Sequence, residues 1–179
     1  MTVGTQRRLA AIVSADVVGY SRLMGADEAG THTRLKTRYA DLIAPMIAAH
    51  NGRVVKLMGD GLLAEFISVV DAVSWAVESQ TKVAEISNED RDDQVIEYRV
   101  GVNLGDVIVD GDDIFGDGVN IAARLQEMAE PGGVCISAKV HSEITGKIGA
   151  EFSDGGAQRA KNIARPIHIW HWSPHSEAP

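Results

Sequence analysis

The sequence has a single cysteine, few aromatic residues and a deficit of basic charge. Cys135 alone excludes an internal disulfide framework and a cysteine zinc cluster, and it fits a reducing compartment. Aromatic residues make up 5% of the chain, which disfavours a stacking surface for single-stranded nucleic acid. Lysine and arginine number 17 against 25 for aspartate and glutamate, which gives a formal net charge of −8. This balance argues against a non-specific nucleic-acid binder, so we expect no nucleic-acid partner.

Long hydrophobic runs are also missing. No apolar stretch approaches the ~20 residues that cross a bilayer, and Leu9–Val13 is too short for the core of a signal peptide. We therefore expect no membrane insertion by this chain and a cytoplasmic location. With 179 residues, 45% of them hydrophobic, the chain is long enough for one domain with a proper core. The sequence predicts a single domain over residues 1–179, with a core from about 8–172 and loose ends at 1–6 and 173–179.

Hydrophobic patterning predicts a mixture of strands and helices. Strands are expected at Leu9–Ala15, Val54–Met58, Leu62–Ile67, Tyr98–Leu104, Val107–Val109, Val134–Ile136 and Ile167–Trp172. Helices are expected at about Glu28–His50, Val69–Ile86, Val119–Met128 and Ala138–Ile144. Gly105-Asp106 predicts a break between two strands, and Asp110–Gly118 predicts a loop. Hairpins mixed with helices favour an α+β fold, with an antiparallel or mixed sheet and helices on one face.

Common nucleotide and metal motifs are missing. The chain has no P-loop, no dinucleotide-binding glycine pattern and no nucleophile elbow of the Gly-x-Ser-x-Gly type. The aspartates near Asp110 resemble the start of a calcium loop, but Ile114 and Ile121 occupy positions where that loop needs oxygen ligands. Any chemistry must therefore rest on a less common arrangement.

Two carboxylates stand out at chain reversals. Asp16 ends the first predicted strand, and Asp60 lies between two glycines at the tip of a predicted hairpin. Each has an ordinary explanation, since aspartate favours turns and also caps strand ends. If the first strand lies beside the hairpin, however, both carboxylates reach one end of the sheet. Two such hard oxygen ligands suit Mg²⁺, which takes one or two carboxylates together with substrate phosphates.

Four further polar residues could belong to a site. Lys56 lies within an apolar strand, which indicates either an exposed strand face or a face turned toward a ligand. Asn120 and Arg124 lie four residues apart on a predicted helix and so share one of its faces, which could equally be a solvated one. Lys161, before Asn162, has the pattern of an ordinary surface residue.

Taken together, these motifs resemble the catalytic domain of class III adenylate and guanylate cyclases. The resemblance runs from about Arg8 to Trp172 in matching order. It is carried by four segments: Ser14–Tyr20, Gly52–Gly61, Asp113–Arg124 and Lys161–Ile163. One departure is Ser14, where the family usually has an aromatic residue in a packing position. The resemblance implies a ferredoxin-like α+β core with flanking helices and active sites shared between two subunits of a homodimer.

The same resemblance implies a role for each site residue. Asp16 and Asp60 would bind two Mg²⁺ or Mn²⁺ ions, while Lys56 and Asp113 would read the purine edge. Three others would complete the site: Asn120 orients the ribose, Arg124 stabilises the transition state and Lys161 holds the triphosphate. The implied reaction is attack of the ribose 3′-hydroxyl on the α-phosphate, which releases pyrophosphate. Positioning and electrostatics suffice for such a phosphoryl transfer.

The base-reading pair favours ATP as the substrate. Adenine presents a donor at N6 and an acceptor at N1, which complement a carboxylate and a lysine. Guanine reverses this pattern and would need an acidic residue in place of Lys56. The expected activity is therefore that of an adenylate cyclase. Alternatives are a guanylate cyclase, a catalytically silent module used for regulation or dimerisation, and a diguanylate cyclase, whose characteristic turn the hairpin at Asp60 lacks.

Overall fold

The fold is an eight-stranded mixed sheet with helices packed against it. The computed structural model describes residues 6–174. The strands are β1 (Gln6–Val17), β2 (Gly52–Met58), β3 (Gly61–Phe66), β4 (Tyr98–Asp110), β5 (Asp113–Phe115), β6 (Val134–Ser137), β7 (Ser153–Gln158) and β8 (Ile167–Trp172). The helices are α1 (Tyr20–Ala26), α2 (Glu28–Arg38), α3 (Ala44–Ala49), α4 (Val69–Ser87), α5 (Asp117–Met128) and α6 (Ala138–Ile144). A π-helical turn at Tyr39–Ile43 joins α2 to α3, and a 3₁₀ turn at Asp92–Gln94 precedes β4.

The strand order places β1 near the middle of the sheet. The order is β2-β3-β1-β4-β6-β8-β7, and β5 pairs with β4 outside this path. Neighbouring strands are antiparallel except β4 and β6, which are parallel. The predicted α+β class with a mixed sheet is confirmed. In the part of the chain that is described, no helix is long and apolar enough to cross a membrane.

Helices cover both faces of the sheet. Ala11 and Val13 of β1 belong to a core that includes residues of α1, α3, α4 and α6. Ala10 and Ile12 point to the other face, where they pack with Ala122 of α5. The prediction that the helices share one face is therefore wrong. The continuous apolar run in β1 has a physical reason, since a strand covered on both sides shows no alternation of polar and apolar residues.

Helix α5 approaches the sheet closely at a glycine of β4. A Cβ atom at Gly101 would lie 2.5 Å from the carbonyl oxygen of Ala122, closer than real side chains approach backbone. Leu125, on the same side of the helix, is fully buried. The missing side chain at Gly101 thus fixes the distance of α5 from the sheet, and with it the position of the residues on the outer face of the helix.

Other elements differ from the sequence-based expectations. The predicted break at Gly105-Asp106 is wrong, because β4 continues through it and both residues pair with β1. The helix expected over Glu28–His50 contains the π-helical turn, and the loop expected at Asp110–Gly118 contains β5. Helix α1 and strand β7 were not predicted. Of the ends predicted to be loose, residues 1–5 and 175–179 lie outside the described residues, while Gln6 begins β1 and Ser173 is buried.

Candidate active site

Asp16 and Asp60 lie side by side at one end of the sheet. The β1–β3 register pairs Ala15 with Leu62, which brings the β2–β3 turn next to Asp16. The two carboxyl groups are close enough to share a hydrogen bond. A Cβ atom at Gly61 would lie 2.7 Å from the carbonyl oxygen of Ala15, so the turn can approach β1 only because this residue has no side chain. The two carboxylates that the sequence singles out are thus brought together.

The electrostatics of this pair favour a proton or a cation between the carboxylates. The pKa of Asp16 is raised from 3.8 to about 6, first by burial and then by the hydrogen bond and the charge of Asp60. The backbone N–H of Val17 donates to Asp16 Oδ1 at 2.9 Å and opposes this rise. A divalent cation relieves repulsion between two oxygen ligands of this kind.

The chain supplies only part of a metal coordination shell here. Within residues 6–174, no group of three or more histidine, cysteine, aspartate or glutamate side chains could hold a metal ion. Asp16 and Asp60 therefore fit a site of the magnesium type, in which two carboxylates bind the ion and water or substrate phosphates complete its shell. A site closed entirely by protein ligands, such as structural zinc, does not fit.

Lys56 and Asp113 form a second pair. The Lys56 ammonium lies 3.1 Å from Asp113 Oδ1 and 3.2 Å from Oδ2, and a little under half of each side chain is exposed. The Ile114 backbone N–H donates to Asp113 Oδ1 at 2.8 Å. The pKa of Asp113 lies below its usual value, chiefly because of the hydrogen bond from Lys56. The pair thus presents a fixed donor and a fixed acceptor beside each other.

Asn120 and Arg124 lie on the outer face of α5. Asn120 is exposed, and Arg124 Nη1 donates to both carboxylate oxygens of Glu127 at 2.9 and 3.0 Å. Lys161 is exposed in the connection between β7 and β8, just before Asn162, whose φ is 64°. Neither α5 residue contacts the other predicted site residues through a hydrogen bond or an ion pair in the described part of the chain, and the same holds for Lys161. Asn120 and Lys161 are therefore exposed, Arg124 is partly buried, and within residues 6–174 the three are not joined into one cluster.

The sequence did not reveal a charged cluster beside the Lys56–Asp113 pair. Glu65 of β3 is buried, with 8% of its side chain exposed, and binds Arg8 of β1 through two hydrogen bonds of 2.7 Å. It also accepts a hydrogen bond of 2.6 Å from Arg53 Nε of β2, and Arg53 Nη2 lies 2.6 Å from the same Glu65 oxygen as an ion pair. These contacts hold the pKa of Glu65 below its usual value, with the bond from Arg8 as the largest cause. A glutamate within the apolar segment Leu62–Phe66 was the available signal, because buried charges are normally paired.

The mixed eight-stranded sheet, with Asp16 beside Asp60 and Lys56 paired to Asp113, has the architecture expected of a nucleotidyl cyclase domain. Residues 5–165 match the sequence model of the adenylate and guanylate cyclase catalytic domain, and the chain belongs to this family.

Sequence relatives and solved structures agree with this membership. A Rhizobium meliloti protein named as a candidate adenylate cyclase is 50% identical over 173 residues, which are 97% of this chain and 30% of that protein. An adenylate cyclase of Streptomyces coelicolor is 32% identical over 77% of this chain and 34% of its own length. The chain thus spans about a third of these curated relatives.

Among solved structures, an adenylate/guanylate cyclase/hydrolase from Silicibacter pomeroyi superposes with a TM-score of 0.90 at 42% identity, and the match covers 96% of this chain and 99% of that one. An adenylyl cyclase from P. aeruginosa matches with a TM-score of 0.82 at 24% identity, over 94% of this chain and 95% of that one. The second likeness supports the fold alone.

Proposed function

We propose that this chain is an adenylate cyclase domain that converts ATP to 3′,5′-cyclic AMP and pyrophosphate at two sites shared by a homodimer. The observation that carries the proposal is the juxtaposition of Asp16 with Asp60, because two adjacent carboxylates, one of them partly buried, favour a divalent cation. The close kinship with proteins named as adenylate cyclases supports the same activity. The proposal treats residues 1–179 as one catalytic domain acting in the cytoplasm.

Asp16 and Asp60 would hold two Mg²⁺ or Mn²⁺ ions. When bound, such ions lower the pKa of an attacking hydroxyl and neutralise polyphosphate charge. Asp16 lies on β1, whose preceding residues are buried, so its carboxylate is held by a firm element. Asp60 lies on a turn with glycine on both sides, so its carboxylate can adjust to the bound triphosphate.

The remaining site residues bind and orient the nucleotide. Asn120 would hold the ribose so that its 3′-hydroxyl faces the α-phosphate, and Arg124 would meet the charge that builds on the α-phosphate oxygens with fixed, planar donors. For this role Arg124 must leave Glu127, whose side chain is exposed. Lys161 would bind the triphosphate and the leaving pyrophosphate. Each group acts by position and charge, as phosphoryl transfer requires.

The Lys56–Asp113 pair supports adenine as the base. The ammonium can donate to adenine N1, and the carboxylate, which its neighbours keep ionised, can accept from the exocyclic N6. Guanine places a carbonyl and a ring N–H at these positions, so each contact would oppose like with like. A mismatched polar contact in a closed site leaves groups unpaired at a cost of about 1–3 kcal/mol each.

The separation of the two pairs within one chain supports a shared site. Asp16 and Asp60 contact each other, Lys56 contacts Asp113, and no hydrogen bond or ion pair among residues 6–174 connects the two pairs. The apolar side chains beside Lys56 and Asp113 are uncovered: Leu57, Met58 and Phe115 are 57%, 45% and 43% exposed. In a twofold dimer, one subunit would supply the metal carboxylates and the other the nucleotide-reading residues.

One assay tests this proposal against its alternatives. The purified chain is incubated with ATP or GTP and with Mg²⁺ or Mn²⁺, and the products are identified by mass. Cyclic AMP from ATP, with little product from GTP, is the expected result. Cyclic GMP from GTP, with no cyclic AMP from ATP, would indicate a guanylate cyclase. No product from either nucleotide would indicate a silent module. Arg124→Ala serves as the inactive control, because its buried neighbours on α5 are unchanged.

A further inference from the structure

Arg53 joins a buried charge to the turn that carries the base-reading aspartate. Its Nε and Nη2 atoms both lie 2.6 Å from Glu65 Oε1, while its Nη1 donates to the backbone carbonyl of Asp112 at 3.0 Å. Asp112 immediately precedes Asp113 in the β4–β5 turn. We infer that Arg53 is a positioning residue for base selection: it holds this turn so that Asp113 stays opposite Lys56. The inference rests on the proposed function and concerns the same site.

Sheet pairing alone does not hold Lys56 and Asp113 together. Strands β3 and β1 separate β2 from β4 in the sheet, and β5 pairs with β4. The contact between Lys56 and Asp113 therefore bridges elements that share no ladder of backbone hydrogen bonds. Both side chains are more than 40% exposed, and an exposed ion pair contributes little stability by itself. The buried Ile114, next to Asp113, packs against the sheet and holds β5 there. The turn before Asp113 has in addition a polar connection to β2.

Arg53 supplies this connection, and its partner Glu65 is itself held in place by other contacts. Glu65 is buried on β3, which is paired on both sides, and Glu65 is also held by Arg8 through two hydrogen bonds of 2.7 Å. The planar guanidinium of Arg53 uses one edge for Glu65 and has Nη1 left for the turn, a division of donors that a point charge cannot reproduce with the same geometry. The positive charge of Arg53 also helps to hold the pKa of Asp113 below its usual value. Arg53 thus influences both the place and the ionisation of the base acceptor.

Loss of this connection should loosen base reading and leave the chemistry largely intact. The phosphate and metal groups of the proposed site lie on other elements: Asp16 on β1, Asp60 in the β2–β3 turn and Arg124 on α5. A mobile Asp113 would accept less well from adenine N6, and it would also oppose the guanine carbonyl less. The expected signature is a reduced preference for ATP over GTP, expressed mainly in KM.

The test compares Arg53→Met with Arg8→Met. Both variants remove one arginine from Glu65, but only Arg53 also reaches the carbonyl of Asp112. For each protein we would measure kcat/KM for ATP, together with inhibition constants for 3′-deoxy-ATP and 3′-deoxy-GTP, which lack the attacking hydroxyl. The preference for adenine is measured as the inhibition constant of 3′-deoxy-GTP divided by that of 3′-deoxy-ATP. Arg53→Met is expected to lower this ratio roughly 3- to 10-fold, the effect of one lost hydrogen bond. Arg8→Met is expected to keep the wild-type ratio, and thermal unfolding shows that both proteins are folded.

Equal ratios in Arg53→Met and wild type would overturn the inference, as would an equal fall in both variants, which would assign the effect to the Glu65 ion pair. Arg53→Lys repeats the test while keeping the charge next to Glu65, and it should also lose base preference. A wild-type chain that makes no cyclic nucleotide, or that prefers GTP, refutes the proposed function, and the inference then falls with it. A wild type that prefers ATP, with an unchanged ratio in Arg53→Met, refutes the inference alone.

Discussion

Replacing Asp16 by asparagine should make the metal-free protein more stable while it abolishes cyclase activity. In the folded state the carboxyl group of Asp16 is partly buried beside Asp60, and its pKa rises from 3.8 to about 6. Asparagine has the same shape and keeps an oxygen for the hydrogen bond from the Val17 N–H. It carries no charge, so the desolvation of a carboxylate and its repulsion by Asp60 both disappear. The site would lose one of the two carboxylates proposed to bind metal in the same step.

The magnitude follows from the pKa change and the exposure of the site. A rise from 3.8 to about 6 would correspond to about 3 kcal/mol at neutral pH in a dry environment. Asp16 is only half-buried, and solvent screening reduces this to about 1 kcal/mol. For a chain of this size, such a gain raises the midpoint of thermal unfolding by roughly 2–4 °C.

The gain should depend on pH in a defined direction. Between about pH 4 and pH 6 the folded wild-type protein keeps the Asp16 proton that the unfolded chain has lost, so wild-type stability falls as the pH rises through this window. The advantage of Asp16→Asn is therefore small at pH 4 and complete by pH 8. Asp60→Asn should give a smaller gain, because burial is the first cause of the pKa rise and would remain.

The assay is thermal unfolding in EDTA at pH 4 and pH 8, with Asp41→Asn as a control at an exposed aspartate. Addition of Mg²⁺ or Mn²⁺ should then raise the midpoint of the wild type but not that of Asp16→Asn, because ligand binding to the folded state is stabilising. A variant that is no more stable than wild type at pH 8, or that shows the same gain at both pH values, would refute the electrostatic reasoning.

Three further outcomes are expected. Glu65→Gln should destabilise the protein by roughly 1–3 kcal/mol above pH 5, because hydrogen bonds to a charged group are lost. Since the pKa of Glu65 is lowered in the fold, this difference should shrink as the pH falls below about 4.5. Denaturant unfolding at several pH values would measure it. Asp16→Asn and Arg124→Ala, each inactive alone, should recover roughly a quarter of wild-type activity when co-expressed as mixed dimers, since half of randomly paired dimers have one intact site; mixed dimers as inactive as their parents would contradict the shared site. Lys56→Glu combined with Asp113→Cys should raise activity with GTP relative to ATP, and a folded, active double variant that keeps the full preference for ATP would contradict the base-reading assignment.

The sequence predicted those parts of the fold and site that depend on local chemistry. Asp60 between two glycines indicated a hairpin tip, and a polar residue at the end of an apolar strand drew attention to Asp16. The turn at Asp60 and the buried strand before Asp16 are both found in the structure, because neighbouring residues determine turn geometry and strand burial. Bringing the two carboxylates together required only that β1 lie beside the hairpin, and the structure has this pairing.

Features that depend on distant residues were beyond local prediction. Gly105-Asp106 has the composition of a break, yet β4 continues because the twelve-residue β1 offers it a full set of hydrogen-bond partners. The ion pairs of Glu65 were not predicted, because its partners Arg8 and Arg53 lie 57 and 12 residues away in sequence. Strand β7 contains two adjacent glycines and no apolar run, so only its pairing with β8 makes it a strand.

The contact between Lys56 and Asp113 means that the two members of the proposed base site satisfy each other's charge. The Lys56 ammonium donates to the Asp113 carboxylate, so each group already makes the kind of polar contact that adenine would provide. A purine that binds there would replace the contact between Lys56 and Asp113 with contacts to its own edge. Only a base with a donor facing Asp113 and an acceptor facing Lys56 would compensate for the lost ion pair. A phosphate ion would pair with Lys56 and leave Asp113 without a partner, and a metal ion would pair with Asp113 and leave Lys56 without one. In the proposed site, base selection would therefore depend on the contact that is given up as well as on the contacts that are gained.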